Sequence, residues 1–163
     1  MKDVHADPSV IFSPCSSFIR YEPLGVALIM GSCVSLYDHY TYTETIATKI
    51  QTLSVMDQSD EAFTLHKSEV VALQNQLQKM LTYEEGKAKN DITVQMWRVL
   101  NNDKKLIGSY LTLWEEKGKL STVFINEAKP QIEEAFDILI AYEEKKNKKT
   151  EEVLSSFVNR LKK

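Results

Sequence analysis

Three histidines, His5, His39 and His66, and two cysteines, Cys15 and Cys33, are the side chains most able to ligate a metal or act as a base or nucleophile. No histidine stands three or four residues from a second histidine or a cysteine, so the converging ligands of a zinc site are not assembled. Lys2, Leu36 and Phe63 occupy the positions three before the histidines, which rules out the Glu-x-x-His pairs of carboxylate-bridged iron bundles. No Gly-rich phosphate loop, G-x-S-x-G turn or D-x-D-x-D-G calcium loop is present. Glu115-Glu116, Glu133-Glu134 and Glu143-Glu144 are adjacent acidic pairs. Neighbours on a helix diverge by about 100° and share no proton, so solvated faces account for them. The expectation is a non-catalytic chain with no metal and no cofactor, in which His66 is a half-buried, hydrogen-bonded bundle residue.

Aromatic residues offer contact rather than chemistry. Tyr37, His39, Tyr40 and Tyr42 crowd into six positions, and Trp97 and Trp114 stand beside Arg98 and Glu115. Tyr and Trp join a large apolar body to a polar tip and are enriched at interfaces. These six residues are therefore candidates for an interaction surface. Burial of both tryptophans as core anchors, and packing of the 38–42 cluster against the second helix, are the alternatives.

Just upstream lies the longest uncharged apolar run, Leu24-Gly25-Val26-Ala27-Leu28-Ile29-Met30-Gly31-Ser32-Cys33. It is far short of the ~20 residues that span a bilayer as a helix and matches the ~7–15 residues of a signal-peptide apolar region. Its end, Met30-Gly31-Ser32-Cys33, resembles the lipobox of bacterial lipoproteins, an aliphatic residue and two small ones before a cysteine. The resemblance covers about ten residues. It implies that Cys33 is lipidated and becomes the first residue of the mature protein, and that the domain is held at the envelope, on the periplasmic side. Lys2 and Arg20 stand against Asp3, Asp7 and Glu22 ahead of the run, and Met30 takes the place usually held by leucine. The other reading of the run is a short helix or strand docked on the bundle of a cytoplasmic protein, with both cysteines as ordinary thiols.

The elements that must position these groups are helices. Pro8, Pro14 and Pro23 fall in the first 23 residues, with only Pro130 later; proline disfavours helix in the residue before it, so residues 1–33 read as an irregular or anchor-like segment. Residues 38–163 read as one domain. Tyr42, Ile46, Ile50, Leu53 and Met56 recur at helical spacing, with the intervening threonines counted as polar. Phe63, His66, Val70, Leu73, Leu77, Met80 and Tyr83 or Glu84 follow at heptad spacing. Gly86 is the expected end of that helix and Asn90 or Asp91 the expected cap of the next. Further stripes run through Ile92 to Leu100, Leu106 to Trp114 closed by Gly118, and Val123 to Ile140 after Ser121. Pro130 is expected to kink that last helix or begin another, and residues 143–149 to be a solvated stretch. Val153 to Leu161 forms the final stripe, with Thr150 as its cap. No alternating run marks a strand. The fold class expected is all-α, an antiparallel bundle of about four to six helices with an irregular N-terminal segment.

Charge and size set the remaining bounds. Twenty basic residues against twenty-three acidic, a net charge of −3, leave no electrostatic footprint for nucleic acid. With 43% hydrophobic residues in a chain of 163, one domain can bury a core. Two functions follow. The first is a small lipid-anchored envelope protein that acts through contacts with a protein partner. The second is a cytoplasmic interaction or regulatory module, a homo-oligomer through the Val70, Leu73, Leu77 and Met80 stripe, with residues 1–33 part of its fold.

Overall fold

A computed structural model describes residues 36–162, all within a unit spanning Ser32–Lys163. His5, Cys15, Cys33, the early prolines and the apolar run 24–33 lie outside the described residues. Six helices follow in order: α1 His39–Asp57, α2 Lys67–Glu85, α3 Asp91–Leu100, α4 Leu106–Lys117, α5 Thr122–Lys145 and α6 Lys148–Lys162. A single 3₁₀ turn, Phe63–Leu65, precedes α2. The described residues contain no strand, and the protein is an all-α bundle. None of these helices is long and apolar enough to cross a membrane.

α1 packs against α2 and α5, α2 against α3, and α6 against α3 and α5. α1 and α5 run in opposite directions, because Lys129 near the start of α5 pairs with Asp57 at the end of α1 (2.5 Å) while Lys49 pairs with Asp137 (2.6 Å) and Glu133 (3.3 Å). The core between them includes Met56, Leu73, Met80, Met96, Leu100, Phe136, Leu139 and Leu154, each fully buried. Val70, Leu73, Leu77 and Met80 belong to this same interior. The stripe proposed for a homo-oligomer is thus occupied by the chain's own α1 and α3, and offering it to a second copy requires opening the bundle.

The face that α1 buries differs from the expected one. Thr41, Thr45, Thr48 and Thr52 are fully buried, whereas Tyr42 and Ile46 are half-buried and Ile50 is 64% exposed. Threonine can line a core when its hydroxyl is satisfied within the helix and its methyl faces outward. Thr45, Thr48 and Thr52 each donate to the carbonyl four residues earlier, at 2.6–2.7 Å. Spacings of four, three and four carry the helical period that the aliphatic residues only approximate.

Other local expectations also shift. Phe63 and His66 precede α2 instead of riding on it. Gly118 ends α4 at φ +75, a backbone conformation that favours glycine. Ser121 accepts the Phe124 amide as N-cap of α5, as its place predicts. α5 continues through Pro130 as one element, so Pro130 begins no new helix. Asn147, not Thr150, caps α6, its Oδ1 accepting the Thr150 amide at 3.0 Å.

The end of the bundle formed by the loops after α1 and α4 is stitched by backbone bonds. The Leu120 amide donates to the Ser59 carbonyl (2.8 Å) and the Phe63 amide to the Gly118 carbonyl (2.7 Å). Tyr110 bonds Ser59 beneath them. At the far end, where α1 begins and α2 and α5 finish, the interior turns polar.

Candidate functional site

That polar end starts at Asp38, the N-cap of α1. One carboxylate oxygen accepts the Tyr40 amide (2.9 Å), and the other accepts the Tyr83 hydroxyl (2.9 Å) and pairs with Lys87 (2.7 Å). Burial pushes the Asp38 carboxyl up, but the Lys87, Tyr83 and Tyr40 donors outweigh it and hold the group well below the usual carboxylate range. Lys87 also reaches Glu84 (2.8 Å) and Thr41. Burial alone lowers an ammonium pKa; the two carboxylates reverse this and raise that of Lys87.

Glu84 is fully buried at the last turn of α2. Its Oε1 accepts from Thr41 (2.5 Å) and Lys87, and its Oε2 from the Asn90 side chain (2.5 Å). Asn90 was expected to cap α3, yet its side chain makes no cap bond and turns instead to Glu84. A buried carboxylate without partners would cost several kcal/mol, so it claims the amide that the α3 terminus leaves free.

A second buried carboxylate, Glu143, follows on α5. The Thr93 hydroxyl donates to one oxygen (2.6 Å) and Lys146 pairs with the other (2.6 Å). Burial raises the Glu143 pKa; Lys146 and Thr93 pull it back, and the Glu84 charge adds to the rise. Residues 143–149 are therefore not uniformly solvated: Glu143 and the Lys146 side chain are buried. Lys146 closes α5 in the left-handed region (φ 43), where its ammonium lies 4.6 Å from the Tyr142 ring centroid. Burial and nearby Glu151 and Glu143 push the Tyr142 hydroxyl up to about 12.

Three of the four oxygens of the buried carboxylates accept hydrogen bonds, while Glu143 Oε2 is ion-paired with Lys146 but accepts none, and no histidine, cysteine or serine takes part in these links. The arrangement clamps the ends of α1, α2 and α5 to the start of α3. Among the described residues no group of three or more His, Cys, Asp or Glu could hold a metal.

The aromatic candidates divide. Trp97 and Trp114 are fully buried, which removes them from the interaction surface: Trp114 meets Phe63 edge-on (5.3 Å) and donates to the Glu61 carbonyl (3.1 Å), and Trp97 packs on Phe136. Each ring buries more apolar area than any other side chain could, so the core claims it. His66 is half-buried on the Trp114 ring and hydrogen-bonds Glu61 (2.9 Å).

Tyr37, His39 and Tyr40 are exposed and Tyr42 is half-buried, all above the polar cluster. The Tyr40 ring packs on Tyr83, 4.7 Å between centroids, with the Lys87 ammonium 4.4 Å from the Tyr83 centroid. Tyr37 bonds the His39 ring (3.2 Å) and leans on Tyr42. Leu36, Tyr37, His39, Tyr83, Lys87 and Lys89 line an open depression of about 700 Å³ here. Sequence reading missed Tyr83 as part of this surface and Glu84, Asn90 and Glu143 as buried. Of these only Tyr83 and Glu84 carried a signal, as alternatives for the last position of the heptad stripe.

Fold and site together define a helical bundle with a self-paired polar cluster under one aromatic end. Comparison with protein-family models, with curated proteins and with solved structures finds no match.

Proposed function

We propose that this chain is a small, non-catalytic protein of the bacterial envelope, anchored by a lipid on Cys33 and acting through contacts with a protein partner. The observation that carries the reading is the placement of the exposed aromatic end. Leu36, three positions after Cys33 in the chain, lines the same depression as Tyr37 and Tyr83 just ahead of α1. A lipid on Cys33 puts this end at the anchor. The buried carboxylates beneath it are paired with the bundle's own groups, three oxygens by hydrogen bonds and Glu143 Oε2 by the Lys146 charge, which supports contact over catalysis.

In-cell photocrosslinking after membrane fractionation tests this. The full chain is expected in the membrane fraction, with a discrete crosslinked band formed from surface positions such as Val123 and lost in Cys33→Ala. A chain found in the soluble fraction with the same crosslinks in both proteins overturns the anchor. It favours the cytoplasmic module in its place.

A further inference from the structure

We infer, on the basis of the lipid-anchor reading, that the aromatic end of the bundle rests on the lipid headgroup layer. Leu36 is three chain steps from Cys33, with Val34 and Ser35 between them, and each step spans at most about 3.6 Å, so Leu36 lies within about 11 Å of the anchored residue. The surface so held is made of Tyr37, 52% exposed, and Tyr40 and Tyr83, each 40% exposed. Lys79 and Lys87 stand at the ring faces, 5.9 Å from the Tyr40 centroid and 4.4 Å from that of Tyr83. Both ammoniums are ion-paired within the bundle, Lys79 with Glu44 and Lys87 with Asp38 and Glu84, so the match to the bilayer interface is made by the exposed tyrosines, whose apolar bodies and polar tips are both satisfied there.

The opposite end is composed differently. Val123 and Leu65 are 68% and 67% exposed there, and neither belongs to an aromatic group with cations at the ring faces. α1 has 19 residues, so at 1.5 Å per residue it sets the two ends about 27 Å apart. The anchored protein therefore stands on its aromatic end. The loops after α1 and α4 face the aqueous side, where a protein partner can reach them.

The test uses the full chain, lipidated in a bacterial host and reconstituted into vesicles of three parts phosphatidylethanolamine to one part phosphatidylglycerol. A fluorescent coumarin amino acid is placed at Tyr37 or at Val123, and headgroup-nitroxide lipid is the quencher. Quenching at position 37 is expected to be about threefold stronger or more than at 123, since one site lies within about 11 Å of the anchor and the other about 27 Å further. Equal quenching at both sites, in protein that co-sediments with vesicles, overturns the orientation while leaving the anchor standing. Protein that does not co-sediment overturns both. Shielding of position 37 only when native membranes replace the pure vesicles assigns this end to a protein partner and overturns lipid contact.

Discussion

Glu84→Ala removes the one group on which α1, α2 and the start of α3 converge. Three donors lose their buried carboxylate acceptor, the Thr41 hydroxyl, the Lys87 ammonium and the Asn90 amide, and Thr41 retains only a longer bond to Asp38 (3.3 Å). Lys87 keeps Asp38 (2.7 Å) and part of its side chain is exposed, so it is the least harmed. Asn90, 2% exposed, fares worst, because it keeps only the long bond to the Glu84 backbone carbonyl (3.3 Å) and its Oδ1 already has no hydrogen-bond partner. Breaking a buried charged network by removing one member costs about 3–5 kcal/mol. At about 4 °C per kcal/mol for a bundle of this size, Tm falls by about 12–20 °C. Glu84→Gln keeps the shape and an acceptor for Thr41, and its new amide can meet Asn90 Oδ1 once that side chain turns over. Its loss is expected at about 1–2 kcal/mol. Urea titration followed by tryptophan fluorescence reads both, since Trp97 and Trp114 are fully buried. A loss under about 1 kcal/mol for Glu84→Ala, with an unchanged denaturant slope, would refute the claim that this carboxylate holds the helix ends together.

Other outcomes follow from the same geometry. Burial raises the Glu143 pKa above 4.5, so the fold holds a proton that the unfolded chain has released, and stability falls as pH rises from 4.5 through the folded value; Glu143→Gln is expected to flatten that limb in urea titrations across pH. Asp38 is shifted the other way, so its contribution is present above pH 3.8 and fades as pH falls toward its depressed folded value; Asp38→Asn should lose stability at neutral pH and converge with the parent in acid. A Cβ on Gly108 would sit 2.6 Å from the Asp103 Cα, against backbone, and Gly108→Ala is expected to lower stability by about 1–3 kcal/mol in thermal unfolding. Thr45→Val and Thr52→Val keep the methyl that faces the core and are expected to stay within about 1 kcal/mol of the parent, whereas Thr→Ser at the same sites deletes it and costs about 1 kcal/mol.

How far the sequence carried depended on which force placed each residue. Apolar periodicity gave α2 through α5 and most of α6, because the Leu, Met, Phe and Trp residues at helical spacing on those elements pack into the interior. It misread α1, where Thr45, Thr48 and Thr52 hide their polarity in bonds to their own helix and Thr41 hides its hydroxyl against Glu84. The acidic pair Glu143-Glu144 looked solvated because adjacent helical residues face different ways; that same divergence lets Glu143 point inward while Glu144 stays exposed. Asn90 and Thr150 were legible as helix starts but not in their roles: one serves Glu84 and the other donates to Asn147. The exposed rim of Tyr37, His39 and Tyr40 was legible as a cluster. Tyr83, 43 residues beyond Tyr40, joined it only through the fold.

The central claim is an anchor at Cys33 beside the aromatic end, and the intact mass of the protein from a bacterial membrane fraction tests it most directly. The account predicts loss of residues 1–32 and a mass gain of acyl size on the remainder, both abolished by Cys33→Ala. An unprocessed chain of 18.7 kDa, recovered from the soluble fraction with or without Cys33, would contradict it.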